Sequence, residues 1–337
     1  MSVFKKIVCP ATKKNSRNSE GDAVVLENGD ILLAYSDFFG FGDFDRAQIS
    51  GKISKDGGYA WGKKFTLQEN EGKVNVMCAS FLRLHSGEIC HFYGKKNSIK
   101  DLKFYKKISS DDGQHWSKPV CVTPCAGYMQ LTNNGAIQLK SGRILFAVSH
   151  TPGINHFKCF TSFSDDSGKT WKKGRTVIDL PKRGADEPKV IELKDGRVMM
   201  IIRNQLGYIY KSYSSDGGDT WSKPEPMSLV SSESPAAINR IPQTGDLLII
   251  WNNVFNLDDG SHHCGGRCPL TAAISRDDGE KWENMKNIEA DRKNDYGYPS
   301  ITFVGEKVLL TYYVGNYQKE RWSLGVTLLP ISWFYQK

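Results

Sequence analysis

The chain has 337 residues, 39% of them hydrophobic and 24% charged, with a formal net charge of +8. That supplies a large core, as two ordinary domains or one extended all-β architecture, and no apolar run approaches the length of a membrane span. The positive charge sits on scattered lysines, which weakly favours an anionic ligand and speaks against nucleic acid, since no Arg/Lys-rich helix or finger pattern occurs.

In chain order, "MSVFKKIVCPATKKNS" comes first. It has no long apolar segment after its lysines and does not read as a secretion signal. The expectation is a cytoplasmic protein whose eight cysteines are reduced and mostly buried. Two motifs then alternate. A turn with glycine leads into an apolar, β-rich run in "NGDILLAY", "SGEICHFY", "SGRILFAV", "DGRVMMII", "TGDLLIIW" and "GEKVLLTYY", with glycines at Gly29, Gly87, Gly142, Gly196, Gly245 and Gly305. This pattern predicts hairpins that feed strands buried on both faces. Between them stand "SKDGGYAW", "SSDDGQHW", "SDDSGKTW", "SSDGGDTW" and "SRDDGEKW", beginning at Ser54, Ser109, Ser164, Ser214 and Ser275. All five fit S-x-D-x-G-x-x-W.

Self-similarity at about fifty-five residues is the size of a four-stranded propeller blade. Six units fill residues 1–337. The economical fold is therefore a single all-β domain, a six-bladed β-propeller. The last unit lacks the Trp motif and ends in "WSLGVTLLPISWF", and "SVFKKIV" is expected to supply its missing outer strand and close the ring. Two open-sheet domains of three units each would leave long exposed edges. Five Trp motifs spread around a ring cannot share one catalytic centre. Their Asp, Gly and Trp read as turn-forming and packing residues.

Matched positions of the repeats supply an internal test. Seven residues after the turn glycine stand Ser36, Gly94, Ser149, Arg203, Asn252 and Tyr312, of which Arg203 alone is charged. At the start of the preceding strand stand Cys78, Asn133, Glu187, Ser234 and Tyr298, with Glu20 as a second acidic member. Departures from a repeat often carry function. Arg267, in "HHCGGRCPLTAAIS", has a counterpart in Arg46, so this test does not single it out.

The Trp motifs, "DEPKVIELKDGRVMMIIRN" and "GRCPLTAAISRDDG" together resemble the exo-sialidases (neuraminidases) and their Asp-box relatives with six-bladed propellers, over nearly the whole chain. The resemblance implies a retaining glycoside hydrolase that removes terminal sialic acids. It implies an arginine triad for the substrate carboxylate, Arg17, Arg203 and Arg267. It also implies a nucleophilic Tyr298, an activating Glu187 and an acid/base Asp43, with Tyr296 and Asp45 as the alternatives to Tyr298 and Asp43. The family's Arg-Ile-Pro is Arg17-Asn18-Ser19 here, which leaves room for a related 2-keto-3-deoxy sugar acid.

The chemistry suits those residue types. Guanidinium groups hold a carboxylate in bidentate geometry, and a neutral phenol avoids the repulsion that an anionic nucleophile meets beside that carboxylate. No cofactor or metal is expected. "HHCGGRC" offers His262, His263, Cys264 and Cys268, but not at the spacing of a standard zinc site. The expected partner is a small-molecule or glycan substrate, a sialylated glycoconjugate, with no nucleic acid and no membrane span. The sequence carries no sign of oligomeric state. The rival from another class is a propeller that binds acidic glycans without cleaving them.

Overall fold

The computed structural model describes residues 3–152, 155–255 and 266–336. Among them are twenty-five strands and two short 3-10 helices, with no α-helix and no helix long and apolar enough to cross a membrane. Each repeat of the sequence folds as an antiparallel meander. In the fourth, Asp186–Glu192, Val198–Arg203, Tyr208–Ser214 and Glu225–Val230 lie side by side in that order. The strands after the turn glycines are apolar because they are buried on both faces: every residue of Ile31–Phe38, Val198–Arg203 and Leu247–Asn252 is buried.

The meanders form two four-stranded sheets, one of eight strands and one of nine. The two larger sheets arise where single parallel pairs, Arg17↔Trp322 and Tyr128↔Leu102, join adjacent repeats. The N-terminal strand Phe4–Cys9 pairs with the last strand, Arg321–Pro330, in register Phe4↔Leu328. It thereby completes the final meander.

The innermost strands touch in succession. Arg17–Val25 lies against Asn75–Arg83, which meets Ala136–Gln138, then Asp186–Glu192, Ala237–Arg240 and Asp295–Val304, and the last returns to Arg17–Val25. Between neighbouring sheets lie apolar clusters. Leu145 and Phe163 of the third repeat, for example, pack against Val198, Met200 and Trp221 of the fourth.

The five Trp motifs are hydrogen-bonded turns between third and fourth strands. In each, the Ser hydroxyl donates to the Asp carboxylate at 2.7–2.9 Å and accepts from the Gly amide at 2.7–2.8 Å. The same carboxylate accepts the amide four residues on, at 2.8–2.9 Å. The indoles of Trp61, Trp171 and Trp221 donate to their own motif's Gly carbonyl. The Asp and Gly therefore shape the loop, and the Trp fastens it to the core.

Two outcomes follow. Trp221→Ala removes a core side chain and is expected to cost about 3–5 kcal/mol in denaturant unfolding. The His115 amide, then the His115 ring and Ser109, hold the Asp111 carboxyl down to about 2, below its unfolded value of about 3.9. That contribution is complete above pH ~4 and lost as pH falls towards ~2. Asp111→Asn should flatten the melting temperature against pH across that window.

Candidate active site

The inner strands do not run straight. Their pairing slips between Ser19 and Asp22, Met77 and Ser80, Asp186 and Lys189, and Gly297 and Ser300. At each slip one non-glycine residue takes a positive φ: Glu20 at 46°, Cys78 at 59°, Glu187 at 35° and Tyr298 at 53°. Such a backbone costs roughly 1–2 kcal/mol per residue, and bulges of this kind re-aim side chains. These are the matched strand-start positions of the sequence. The third repeat differs by one residue: its inner strand is only Ala136–Gln138, and the positive φ falls on Asn134, at 54°. Asn133 instead donates its amide to the carbonyls of Gly21 and Tyr298, at 2.8 and 2.9 Å.

The matched residues at the far strand end tie several repeats to the next, although the second has only Gly94 there. The Ser36 hydroxyl accepts from the Cys78 amide at 2.8 Å, Ser149 donates to Asp186 at 2.8 Å, and Asn252 donates to the Tyr296 carbonyl at 3.0 Å. Arg203, longer in the same slot, reaches Glu233 of the next repeat at 3.6 Å. It also turns back on its own repeat, where it forms an ion pair with Glu187 Oε2. In the last repeat the slot belongs to Tyr313 rather than Tyr312. Only Gly305 and Glu306 lie between the paired residues Val304 and Lys307, and the strand runs one residue further, so that Tyr313 faces Gly297 across the ladder. Tyr312 is buried and donates its hydroxyl to Glu289 at 2.5 Å.

Glu187 is the centre of the arrangement. Its Oε1 accepts the Tyr298 hydroxyl at 2.8 Å, across 111 residues of sequence. Burial pushes the Tyr298 phenol well above its ordinary pKa, and the Glu187 carboxylate adds to this against the opposing pull of Arg203 and Arg267. The phenol is therefore protonated at rest. Burial alone would lower the Arg203 pKa, but Glu187, Glu233 and Asp186 raise it well above the ordinary value.

The Arg267 guanidinium lies 5.4 Å from the centre of the Tyr298 ring and donates to the Tyr313 hydroxyl at 2.8 Å. Its sequence counterpart Arg46 is exposed, whereas Arg267 is buried. Tyr313 stacks on Trp322 at 4.2 Å, and the Arg17 guanidinium sits 4.7 Å from the Trp322 ring. Arg17 is also buried. It pairs with Glu20 at 2.5 Å and with the Asp43 carboxylate.

Arg17, Asp43, Glu187, Arg203, Arg267 and Tyr298 thus belong to one connected network. The two alternatives lie outside it. Asp45 accepts the Gly42 amide of its own loop at 2.7 Å, and Tyr296 is buried against Tyr312 with its hydroxyl on the Asp291 carbonyl at 3.3 Å. His262, His263 and Cys264 lie outside the described residues. Sequence reasoning missed Tyr313, Trp322, Asp186 and Glu233. Trp322 stands outside every Trp motif.

Residues 74–310 match the BNR repeat-like domain. The chain belongs to that family. Within this sialidase-like BNR-repeat group, the chain is 25% identical over 215 residues to a sialidase of Bacteroides fragilis, covering 60% of this chain and 37% of the relative. It is 27% identical over 227 residues to a sialidase of Micromonospora viridifaciens, covering 58% and 34%. The matched stretch is thus little more than a third of the length of these curated relatives. In three dimensions the BNR-repeat chain is similar to a protein of unknown function from Dyadobacter fermentans, with a TM-score of 0.78 and 20% identity over 97% of this chain and 99% of that one. It is also similar to the NanB sialidase of Streptococcus pneumoniae, with a TM-score of 0.74 and 15% identity over 96% and 70%. At these identities the structural likeness shows a shared fold.

Removing Arg203 takes the paired cation from buried Glu187, while Glu233 and Asp186 keep Arg183 at 2.5 and 3.3 Å. Arg203→Ala is expected to cost about 3–5 kcal/mol in chemical denaturation. The double variant Arg203→Ala/Glu187→Gln should recover part of that loss.

Proposed function

We propose that the chain is a single six-bladed β-propeller that acts as a retaining exo-glycosidase on terminal acidic sugars, with α-linked sialic acid the leading substrate. The succession of inner-strand contacts and the pairing of the first strand with the last support the closed ring. One observation carries the activity: the Glu187 carboxylate accepts the Tyr298 phenol on one oxygen and is ion-paired with Arg203 through the other. A buried phenol hydrogen-bonded to a carboxylate base is the arrangement that an activated oxygen nucleophile requires.

In this reading Arg203, Arg267 and Arg17 hold the sugar carboxylate and orient the anomeric carbon over Tyr298 Oη. The phenol oxygen forms a bond to that carbon as its proton passes to Glu187. The bond to the leaving oxygen breaks, and the carboxyl of Asp43 supplies the proton that makes it a neutral alcohol. Water then attacks the same carbon, giving its proton to Asp43. The tyrosyl–carbon bond breaks, and Glu187 returns the proton to the phenolate. Two displacements leave the anomeric configuration unchanged. The raised Tyr298 pKa requires the first proton transfer to accompany bond formation, because a free phenolate is scarce at neutral pH.

A related 2-keto-3-deoxy sugar acid is the second substrate within the same chemistry. It carries the same carboxylate, which would compete with Glu20 and Asp43 for Arg17 and with Glu187, Glu233 and Asp186 for Arg203.

The wild type is expected to release the phenol from an aryl α-sialoside or the corresponding 2-keto-3-deoxy acid glycoside. NMR of the first product should show retained configuration. Tyr298→Phe should lower kcat/KM by about 10³-fold or more. Asp43→Ala should lower it by roughly 10²–10⁴-fold on substrates with alkyl leaving groups. Undiminished turnover by Tyr298→Phe would refute the mechanism. Tight binding of the free sugar acid by a wild type inert towards every glycoside would identify a glycan-binding propeller instead.

A further inference from the structure

Asp43 is the most exposed of the proposed catalytic groups. Its side chain is 59% exposed, and it stands in the loop 39–46 between Ile31–Phe38 and Ala47–Ser54. Loops are the mobile parts of a fold, whereas a general acid has to stay within hydrogen-bond reach of the oxygen it protonates. The loop's own bonds are few. The Phe39 amide donates to the Arg46 carbonyl at 2.9 Å, the Asp45 amide to the Gly42 carbonyl at 3.1 Å, and the Gly42 amide to the Asp45 carboxylate at 2.7 Å.

Arg17 pairs with the Asp43 carboxylate and donates to the Phe41 carbonyl at 3.4 Å, and the following repeat supplies two more holds. Asn75 donates its side-chain amide to the Asp43 carbonyl at 3.0 Å and to the Asp45 carbonyl at 2.8 Å. Lys96 Nζ donates to the same Asp43 carbonyl at 2.8 Å. Both residues are completely buried. Lys96 is the unusual one. Among the described residues its ammonium makes no other hydrogen bond. It sits instead 4.7 Å from the centre of the Phe44 ring and 5.5 Å from that of Tyr128. Taking an ammonium out of water is expensive, and an apolar chain of equal length fills the space without that cost. Burial pushes the Lys96 pKa down, with Asp43 the largest opposing influence. Packing does not explain a cation spent on one loop carbonyl.

We propose that Lys96 is a positioning residue for Asp43. With Asn75 it braces the loop from the neighbouring repeat and holds the Asp43 carboxyl where the leaving oxygen arrives. The inference rests on the acid/base role of Asp43 proposed above. It places control of the protonation step in a repeat that contributes no reacting group.

Three variants test it. Lys96→Met keeps the length and removes donor and charge, Lys96→Arg restores both, and Asn75→Ala removes the second hold without changing charge. On a ketoside with a sugar leaving group, which departs only when protonated, Lys96→Met should lower kcat/KM about 100-fold. On the 4-methylumbelliferyl ketoside, whose phenol leaves with little help, kcat/KM, which reports the steps up to its departure, should fall less than about 5-fold. Asn75→Ala should split the two substrates the same way, and Lys96→Arg should recover most of the loss. Hydrogen exchange at the amides of Phe39, Gly42 and Asp45 should quicken about tenfold or more in Lys96→Met, with the amides of Ile31–Phe38 unchanged. Equal losses on both substrates, or a loop as protected in Lys96→Met and Asn75→Ala as in the wild type, would overturn the proposal. A wild type inert towards all ketosides would instead defeat the proposed function, and the exchange measurement would still decide whether Lys96 braces the loop.

Discussion

The carboxylate of Glu187 is shared between a guanidinium and a phenol, and the rest of the site is arranged around that sharing. Arg203 pairs with one oxygen and the Tyr298 hydroxyl donates to the other. A carboxylate is a hydrogen-bond acceptor only, so the Tyr298 proton points at it. Glu187 and Tyr298 belong to strands far apart in sequence, and each leaves the ordinary strand backbone to meet the other. Strain at two residues persists only when the surroundings over-determine it. Here the surroundings include the side chains that tie one repeat to another: Ser36 to the Cys78 amide, Ser149 to Asp186, and Asn252 to the Tyr296 carbonyl.

Each arginine of the site arrives with companions. Arg203 has three carboxylates near it, Arg17 has two, and Arg267 has the Tyr313 hydroxyl. Buried cations are tolerable because they are paired, and pairing presets their geometry. It also limits how strongly they attract an anion. An anion would have to compete with Glu20 and Asp43 for Arg17, and with Glu187, Glu233 and Asp186 for Arg203. How strongly the cluster attracts an anion then depends on how much of each guanidinium the resident groups leave available.

Much of this was legible in the sequence, for a definite reason. The repeats share one backbone plan, so equal spacing from a turn glycine places Glu20, Cys78 and Glu187 at equivalent bends, and the odd residue at such a place stands out. Arg203 and Glu187 were visible in this way. The method weakens where the plan changes. The short inner strand of the third repeat moves the bend from Asn133 to Asn134, and the tight turn at Gly305 and Glu306 gives the Arg203 slot to Tyr313 instead of Tyr312. Arg267 did not stand out because Arg46 shares its place, and only burial separates them. Trp322 and Glu233 carried no signal at all. Their part in the site depends on which neighbours the packed sheets bring against them, and no local pattern records that.

The strand Phe4–Cys9 hydrogen-bonds to Arg321–Pro330, far from it in sequence. The sheet they share is the one that carries Tyr298 and Tyr313. Loop-closure entropy across so long a separation must be met before the pairing rewards it, whereas the meanders are built from neighbouring strands and can form on their own. Until the distant strand docks, the flank of Arg321–Pro330 is an unpaired edge, the kind of surface that recruits other chains. Contacts made early by local meanders thus come to depend on one late, long-range pairing for the completeness of the sheet that holds both tyrosines.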